Sequence, residues 1–400
     1  MKAAFWLAAF GIGLPIYSYA VYPVLLFLLA AVAQTARDAW YLLSRAERRS
    51  RAGDPPSVTL IIAAHDEETA IEKTVRGALA LDYPRDRLEI LIGSDGSTDR
   101  TNEIVRRFET EGVRLLAFPE RRGKISVISD CAAAARGDIL ALSDANTLLK
   151  PDALGMIARH FQRPRIGGVC GELRLTTPEG GEADEGLYWR YEQILKLLES
   201  RLDSTLGANG AIYAVRRELF PTLSANLITD DFVIPMKVRE RGFRVVYDPE
   251  AIAVEDAPAR AGDEFRRRLR IGAGNWQALG RCWRMLMPWN GFAAFAFFSH
   301  KFLRWFAPFM MTAGFIANLF LLDEAFWRWA LGAQVAFYAA AAAGWLFHRL
   351  RLPQGPLRIV WYFVMINLAL GIGLTRGMLG LQRAAWQRTS REPARNEAAS

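Results

Sequence analysis

The chain has 400 residues, of which 52% are hydrophobic and 23% are charged, and its net charge is +8. This length exceeds one ordinary globular domain, and the composition suits a soluble domain joined to membrane segments. The three cysteines show no CxxC spacing and the four histidines form no HExxH cluster. These absences argue against a disulfide framework, a zinc site and a histidine metal site.

The first predicted element is an apolar helix at the N-terminus. Ala3–Ala33 carries no acid or base, and roughly 20 such residues are enough to cross a membrane. A cleaved signal peptide would have a shorter apolar region of roughly 7–15 residues. We therefore expect one uncleaved transmembrane helix over residues 1–36.

A basic linker is predicted over residues 37–56. Its arginines follow the apolar helix, and the positive-inside rule places such a flank on the cytoplasmic side. A nucleic-acid patch is the alternative explanation, but the membrane flank explains the cluster more simply, so we expect no nucleic-acid partner. The arginines are Arg37, Arg45, Arg48, Arg49 and Arg51.

Residues 57–278 are predicted to form an α/β domain with a mainly parallel sheet, because strand patterns alternate with helix patterns. Ligands on such sheets bind beyond the carboxyl ends of the strands. The predicted strands are Val58–Ala64, Leu88–Gly93, Val113–Ala117 and Ile139–Leu142. The predicted helices are Glu68–Leu81, Thr101–Phe108 and Lys124–Ala135.

The chain becomes membrane-like again from about Phe292. An interfacial helix is expected over residues 279–300, because tryptophans and arginines are mixed there. Transmembrane helices are expected over residues 301–383, and a polar tail over residues 384–400.

Three late membrane spans are predicted: Phe302–Leu322, Ala325–Phe347 and Leu357–Leu381. One early and three late spans would put the arginine-bearing tail outside, whereas the positive-inside rule favours the inside. The alternative is that one late segment is re-entrant or interfacial.

Polar side chains follow three of the predicted strands. Asp66 and Glu67 follow the first, Asp95 follows the second, and Asp144 and Asn146 follow the fourth. Oxygen ligands at such a spacing can hold Mg²⁺ or Mn²⁺, since hard cations prefer oxygen. An ordinary loop start is the alternative reading of the first pair.

Two later segments supply a cation and a base. Lys124 opens a helix after two arginines and a glycine, and cations at a helix N-terminus favour anions such as a diphosphate. Asp230 and Asp231 follow Thr229, and a carboxylate there could deprotonate a hydroxyl group. Acids in the first turn of a helix also favour the helix dipole, and the two roles are compatible.

The ordered set of these segments resembles the family-2 glycosyltransferases, inverting enzymes that use nucleotide-sugars. The resemblance covers roughly residues 57–278. It implies a GT-A domain on the cytoplasmic side of a bacterial-type inner or plasma membrane. The segments that carry it are VTLIIAAHDEE, EILIGSDGSTDRT, RRGK, LSDANT, TDDF and RRRLRIG.

The resemblance also implies a role for each matching residue. Asp231 would be the catalytic base, and Asp144 with Asn146 would hold Mg²⁺ or Mn²⁺. The donor-binding residues would be Asp66, Glu67, Asp95, Lys124, Asp144 and Arg270. The acceptor-binding residues would be Asn209, Gly210, Asp230, Arg267 and Ile271.

Several positions depart from the family pattern. Asp66 replaces an asparagine, and Arg267 stands where polymerising relatives have a glutamine. Ser94 replaces an acid, Asn146 replaces the last acid of Asp-x-Asp, and Ile271 stands where polymerising relatives have a tryptophan that stacks on the acceptor sugar. Because isoleucine offers no flat ring, we expect short products rather than a long polymer.

We therefore expect a membrane-bound transferase that moves a sugar from a nucleotide donor, with UDP favoured, to a saccharide or lipid-linked acceptor. Its partners would be these two substrates, membrane lipid and possible polysaccharide-export proteins. One alternative is a single-sugar transferase that acts on a lipid. The other is an inactive scaffold of a polysaccharide-export complex.

Overall fold

The computed structural model describes residues 1–44, 53–176, 186–256 and 261–382. Two compact units are present. The sheet unit comprises residues 26–259 and 281–294, and the helical unit comprises residues 1–25, 260–280 and 295–382. Residues 45–52 of the predicted linker, which include four of its arginines, and the predicted tail lie outside the described residues.

The chain begins with one continuous helical stretch. It consists of α1 (Lys2–Ile16), a π-helical turn (Tyr17–Val21) and α2 (Tyr22–Ser44). The predicted N-terminal helix is therefore present, but it continues eight residues beyond the expected end at residue 36. The extension follows from residues 37–44, which contain no glycine or proline to end a helix.

The sheet unit contains one eight-stranded sheet in the order β3-β2-β1-β4-β7-β6-β8-β5. Its first four strands are parallel to one another, whereas β7 is antiparallel to both neighbours. The strands are β1 (Val58–Ala64), β2 (Leu88–Asp95), β3 (Val113–Phe118), β4 (Ile139–Asp144), β5 (Leu148–Leu149), β6 (Ile166–Thr176), β7 (Tyr213–Arg216) and β8 (Arg244–Asp256). The predicted α/β class with a mainly parallel sheet is confirmed.

The four predicted strands are all present, and three are longer than expected. β2 and β4 each extend by two residues, so that Asp95 and Asp144 are their last residues. The carboxylates of Asp95 and Asp144 therefore lie at the carboxyl ends of their strands.

The helices of the sheet unit lie between these strands. They are α3 (Ile71–Leu79), α4 (Thr101–Arg106), α5 (Lys124–Ala134), α6 (Ala153–Ala158), α7 (Gly186–Leu202) and α8 (Asp230–Glu240). The three predicted helices are observed, with α3 shorter than the expected Glu68–Leu81.

Strand β1 shows why the strand patterns are continuous apolar runs. All seven of its residues are buried. Leu60 and Ile62 belong to the core on one face of the sheet, and Ile61 and Ala63 to the core on the other face. Because successive side chains alternate between faces, a strand covered on both faces must be apolar throughout.

The remaining helices belong to the helical unit apart from a few residues. They are α9 (Ala261–Cys282, of which the last two residues belong to the sheet unit), α10 (Phe292–Ala296, of which the first three residues belong to the sheet unit), α11 (Leu303–Asn318), α12 (Ala325–Arg349) and α13 (Leu357–Met378). A second π-helical turn, Phe297–Phe302, precedes α11.

Helices α1 and α11 approach each other closely at two glycines. A Cβ added at Gly11 would lie 2.5 Å from the Cα of Gly314. Near the π-helical turns the Ser18 hydroxyl donates to the Ser299 carbonyl oxygen at 2.6 Å. Small residues and a side-chain hydrogen bond are the usual devices of helix packing in membranes.

Three helical stretches are long and apolar enough to cross a membrane: Lys2–Ser44, Ala325–Arg349 and Leu357–Met378. The helix α11, over the first predicted late span, is not among them in the described part of the chain. Its 16 residues are fewer than the roughly 20 that a span needs, and Lys301 and Arg304 make its entry polar.

The single interfacial helix expected over residues 279–300 is not observed. The chain there consists of the end of α9, two short 3₁₀ turns, α10 and part of the π-helical turn. Pro288 opens the second 3₁₀ turn, and Gly291 follows it with φ of +57°. A proline and a left-handed glycine interrupt a continuous helix for backbone reasons.

Candidate active site

The loops after β1 and β2 are tied together at the carboxyl edge of the sheet. Asp66 has a φ of +53°, and its Oδ1 accepts a hydrogen bond from the Thr98 backbone N–H at 2.7 Å. The Glu67 backbone N–H donates to the Thr101 hydroxyl at 2.8 Å. These contacts fix the backbone around both residues, and the Asp66 side chain remains one-third exposed.

Asp95 supports the loop that precedes Lys124. Its Oδ1 accepts from the Arg122 backbone N–H at 2.6 Å and its Oδ2 accepts from the Gly123 backbone N–H at 2.9 Å. The side chain is buried. The structure thus shows Asp95 as the anchor of the basic loop, and its predicted contact with a nucleotide stays a prediction.

Lys124 stands between two of the predicted acids. Its Nζ lies 2.7 Å from Asp144 Oδ1 and 3.7 Å from Asp230 Oδ2. Burial alone would lower the pKa of Lys124, but the two carboxylates outweigh it and hold the pKa well above its usual range. Lys124 therefore stays protonated at neutral pH. A permanent positive charge of this kind can hold an anionic group by attraction.

Asp231 lies next to this group at the start of α8. Its backbone carbonyl accepts from the Ala208 N–H at 2.7 Å, which joins the loop before β7 to the helix. A Cβ added at Gly210 would lie 3.2 Å from Asp144 Oδ2 and 3.9 Å from Asp231 Oδ2. Gly210 therefore lies against both carboxylates, and a side chain there would crowd Asp144.

The Asp231 carboxyl has a raised pKa of about 6. Burial raises it most and Asp230 adds to this, while Lys124 and Lys196 oppose the shift. A general base works best when its pKa lies near the working pH. The environment of Asp231 therefore suits proton abstraction near neutrality.

Two buried residues of this site have no counterpart in the sequence prediction. The Lys196 Nζ on α7 donates to Asn209 Oδ1 and, at 3.4 Å, to the Ala208 carbonyl oxygen. The Tyr213 hydroxyl donates to Asp230 Oδ2 at 3.3 Å. Tyr213 lies in an apolar strand pattern and Lys196 in a helix with several charged residues. The sequence pattern therefore does not single out either residue as part of a site.

Asp144 and Asn146 offer a carboxylate and an amide oxygen for a divalent cation. One Asp144 oxygen contacts Lys124, and the other faces Gly210. Among the described residues no cluster of three or more His, Cys, Asp and Glu side chains is arranged to hold a metal. The pair fits a hard cation that takes its further oxygen ligands from the diphosphate of a substrate.

Three predicted site residues lie on α9 in the helical unit. Arg267 Nη1 lies 3.8 Å from Glu264 Oε2, and Arg270 and Ile271 follow on the same helix. The acids and Lys124 belong to the sheet unit. The roles of Arg267, Arg270 and Ile271 therefore remain predictions.

The site thus consists of a lysine and several acids at the carboxyl edge of a mostly parallel sheet. Residues 59–223 match the family Glycosyl transferase family 2. The chain thus carries a family-2 glycosyltransferase domain, and it is a transferase.

Curated relatives and solved structures agree with this assignment. The chain is 27% identical over 289 residues to the probable glycosyltransferase YdaM of Bacillus subtilis, an alignment that covers 66% of this chain and 67% of YdaM. It is 25% identical over 231 residues to poly-beta-1,6-N-acetyl-D-glucosamine synthase of Staphylococcus aureus. This alignment covers 56% of the present chain and only 56% of the length of that relative.

A mannosyltransferase of Pyrobaculum calidifontis, PcManGT, solved with GDP-Man and Mn²⁺, superposes with a TM-score of 0.67 at 22% identity. The superposition covers 94% of this chain and all of the other. At this identity the likeness shows a shared fold.

Proposed function

We propose that this chain is a membrane-bound inverting glycosyltransferase that moves a sugar from a nucleotide-sugar, with UDP as the nucleotide, to a saccharide or lipid-linked acceptor. The reaction would serve surface polysaccharide or glycolipid synthesis. The catalytic domain would lie on the cytoplasmic side. The observation that carries the proposal is the half-buried Asp231, with a raised pKa, beside the Lys124–Asp144 pair.

The residues divide the reaction between them. Asp231 takes the proton of the acceptor hydroxyl while the oxygen of that hydroxyl forms a bond to the anomeric carbon. The bond from that carbon to the diphosphate breaks, the nucleoside diphosphate leaves, and the configuration inverts because there is one displacement. The Lys124 ammonium holds the departing diphosphate by its charge.

A divalent cation, Mg²⁺ or Mn²⁺, would be held by Asp144 and Asn146. When bound, it offsets the negative charge of the departing diphosphate. PcManGT was solved with Mn²⁺, which supports the choice of ion.

The decisive experiment replaces Asp231 by asparagine. This change removes the base and keeps the shape, so transfer should fall by about 10²–10⁴-fold, the usual cost of losing a positioned base. Binding of the nucleotide-sugar should stay nearly unchanged. The rate is measured on purified full chain in detergent with a panel of nucleotide-sugars, and binding is measured by calorimetry.

Asp86→Asn is the matched control, because Asp86 is exposed and lies before β2. It should transfer at the parental rate. Parental transfer by Asp231→Asn would refute the assignment of the base.

Size-resolved analysis of a radiolabelled product shows how many sugars are transferred and whether the acceptor is a saccharide or a lipid. Products of one or a few sugars fit Ile271 in place of a stacking tryptophan. A single sugar on extracted lipid supports the lipid-transferase alternative, and a long homopolymer supports a synthase of the poly-N-acetylglucosamine type. The intact Asp144 and Asp231 favour an enzyme over an inactive scaffold.

A further inference from the structure

We infer that a patch of exposed arginines in the sheet unit binds the phosphates of anionic phospholipids in the membrane leaflet from which α2 emerges. The arginine patch consists of Arg37, Arg163, Arg165 and Arg201, and all four residues are exposed. This inference goes beyond the proposed function and does not rest on it.

Part of the patch lies at the edge of the sheet opposite to the candidate active site. Arg165 precedes β6 and Arg244 opens the parallel strand β8, and the Arg244 backbone N–H donates to the Arg165 carbonyl oxygen at 2.8 Å. Strands β6 and β4 run in the same direction, because both are antiparallel to β7. The amino end of β6 therefore lies away from Asp144, which ends β4.

Hydrogen bonds bring α2 and the end of α7 to the same place. Arg37 Nη2 on α2 donates to the Arg201 carbonyl oxygen at 2.6 Å. The carbonyl oxygen of the preceding residue, Ser200, accepts from Arg244 Nη2 at 2.8 Å. The three backbone segments that carry the patch therefore meet around Arg244.

Three guanidinium groups of the patch keep their full charge. Within the part of the chain that the structure describes, no side chain or carbonyl group is a partner of the Arg163, Arg165 or Arg201 guanidinium. A guanidinium presents parallel N–H groups that match two oxygens of a phosphate. These three side chains are therefore open to an anionic ligand.

The acids near the patch do not cancel this charge. Asp203 is paired with Arg239 at 2.8 Å. Asp38 follows Arg37 on α2 and can offset that one charge. Glu199 on α7 is fully buried, so its carboxyl does not reach the surface.

The pKa of Arg244 reflects the same excess of positive charge. Burial lowers this pKa most, and Asp203 opposes the change. Arg37, Arg163 and Arg239 lower the pKa further, because each disfavours another positive charge beside it. Three arginines therefore act against a single acid around this guanidinium.

The end of α2 places the patch at the level of the lipid head groups. Arg37 is the first charged residue after the apolar run that ends at Ala33, which puts it about 6 Å further along the helix. The head-group region is roughly 5–8 Å deep on each side of the hydrocarbon core. Trp40, one turn later, is 71% exposed, and tryptophan rings prefer this level.

The first test measures which arginines the lipid covers. The full chain is placed in nanodiscs of phosphatidylcholine, of phosphatidylcholine with phosphatidylglycerol, or of phosphatidylcholine with inorganic phosphate in the buffer. Phenylglyoxal then modifies accessible arginines, and mass spectrometry of peptides gives the rate at each position. Phosphatidylglycerol should slow modification of the patch at least threefold, and inorganic phosphate should protect it less. Arg106 and Arg136, which are exposed and lie outside the patch, should react equally in all three samples.

The second test removes charge from the patch. Arg163→Gln combined with Arg165→Gln should weaken phosphatidylglycerol binding to the delipidated full chain at least tenfold, since each arginine near an anionic lipid surface contributes about fivefold. Bound lipid is counted by native mass spectrometry in detergent. Arg106→Gln combined with Arg136→Gln is the matched control, because it removes the same charge and should leave binding unchanged.

Three results would overturn the inference. Equal modification of the patch with and without phosphatidylglycerol would show that the lipid does not cover it. Equal losses in the two double variants would indicate diffuse attraction to a basic protein. Protection by inorganic phosphate as strong as that by the lipid would make the ligand a free anion.

Discussion

Individual charges set the pKa values of this site, and the carboxyl of Asp231, the proposed base, is the clearest case. Its pKa of about 6 is the outcome of burial and Asp230 acting against Lys124 and Lys196. Only the deprotonated carboxylate can take a proton from an acceptor. The transfer rate should therefore rise with pH up to about 6 and level off above it.

Lys196→Met should move this acidic limb to higher pH. The change removes a positive charge that lowers the pKa of Asp231, so the carboxylate should become protonated at a higher pH than in the parent. The measurement is the pH dependence of transfer at saturating donor. Lys150→Met is the control, since Lys150 is exposed, and its profile should match the parental one. An unmoved limb in Lys196→Met would show that Lys196 does not tune the pKa of Asp231, the proposed base.

Asn146 sets the charge of the proposed metal site. Asn146→Asp adds a second carboxylate beside Asp144, and hard cations bind more tightly as the ligand charge rises. Mn²⁺ affinity in the presence of UDP should increase about tenfold, equivalent to 1.4 kcal/mol, as measured by calorimetry. Asp144→Asn should have the opposite effect. Unchanged affinity in both variants would place the cation elsewhere.

At the scale of elements, the loop after β2 positions the basic loop before α5. Asp95 accepts two backbone N–H groups of that loop, and Gly96 at a φ of +61° packs against it. A Cβ on Gly96 would lie 2.6 Å from the Arg121 backbone nitrogen. The turn therefore needs glycine for its conformation and for its close contact.

Gly96→Ala should lower both stability and transfer. The left-handed conformation costs about 1–2 kcal/mol for a residue with a Cβ, and the contact with Arg121 should displace the loop that carries Lys124. Gly112→Ala is the matched control, because Gly112 also has a positive φ, +95°, but nothing lies within 4 Å of an added Cβ. Both variants should melt at lower temperature, and only Gly96→Ala should lose donor affinity. Equal donor affinity in the two would contradict this role for the loop.

At the scale of the whole molecule, the helical unit depends on close helix packing. Gly11→Ala would place a Cβ 2.5 Å from the Gly314 Cα, and backbone atoms cannot move aside cheaply. We expect a loss of about 1–3 kcal/mol, the usual cost of overpacking, seen as a lower melting temperature in detergent.

Gly13→Ala lies in the same helix, where an added Cβ has nothing within 4 Å, so it should be neutral or slightly stabilising. Equal effects of the two substitutions would mean that the contact between α1 and α11 contributes little.

The sequence by itself determined the strands and helices of the α/β domain that depend on local patterns. The run Val58–Ala64 matches β1 in full, and Lys124 opens α5 as expected. These predictions hold because a strand buried on both faces needs an apolar residue at each position. The order of the acids along the chain also placed Asp95 and Asp144 at the strand ends.

Only the tertiary structure decided what those side chains contact. Asp95 supports the basic loop, and Lys196 reaches Asn209 from a helix whose sequence gives no hint of it. Likewise, Pro288 and Gly291 break the expected interfacial helix. Contacts between residues distant in sequence depend on how strands and loops pack, and the raised pKa of Asp231 depends on the burial and charges that this packing creates.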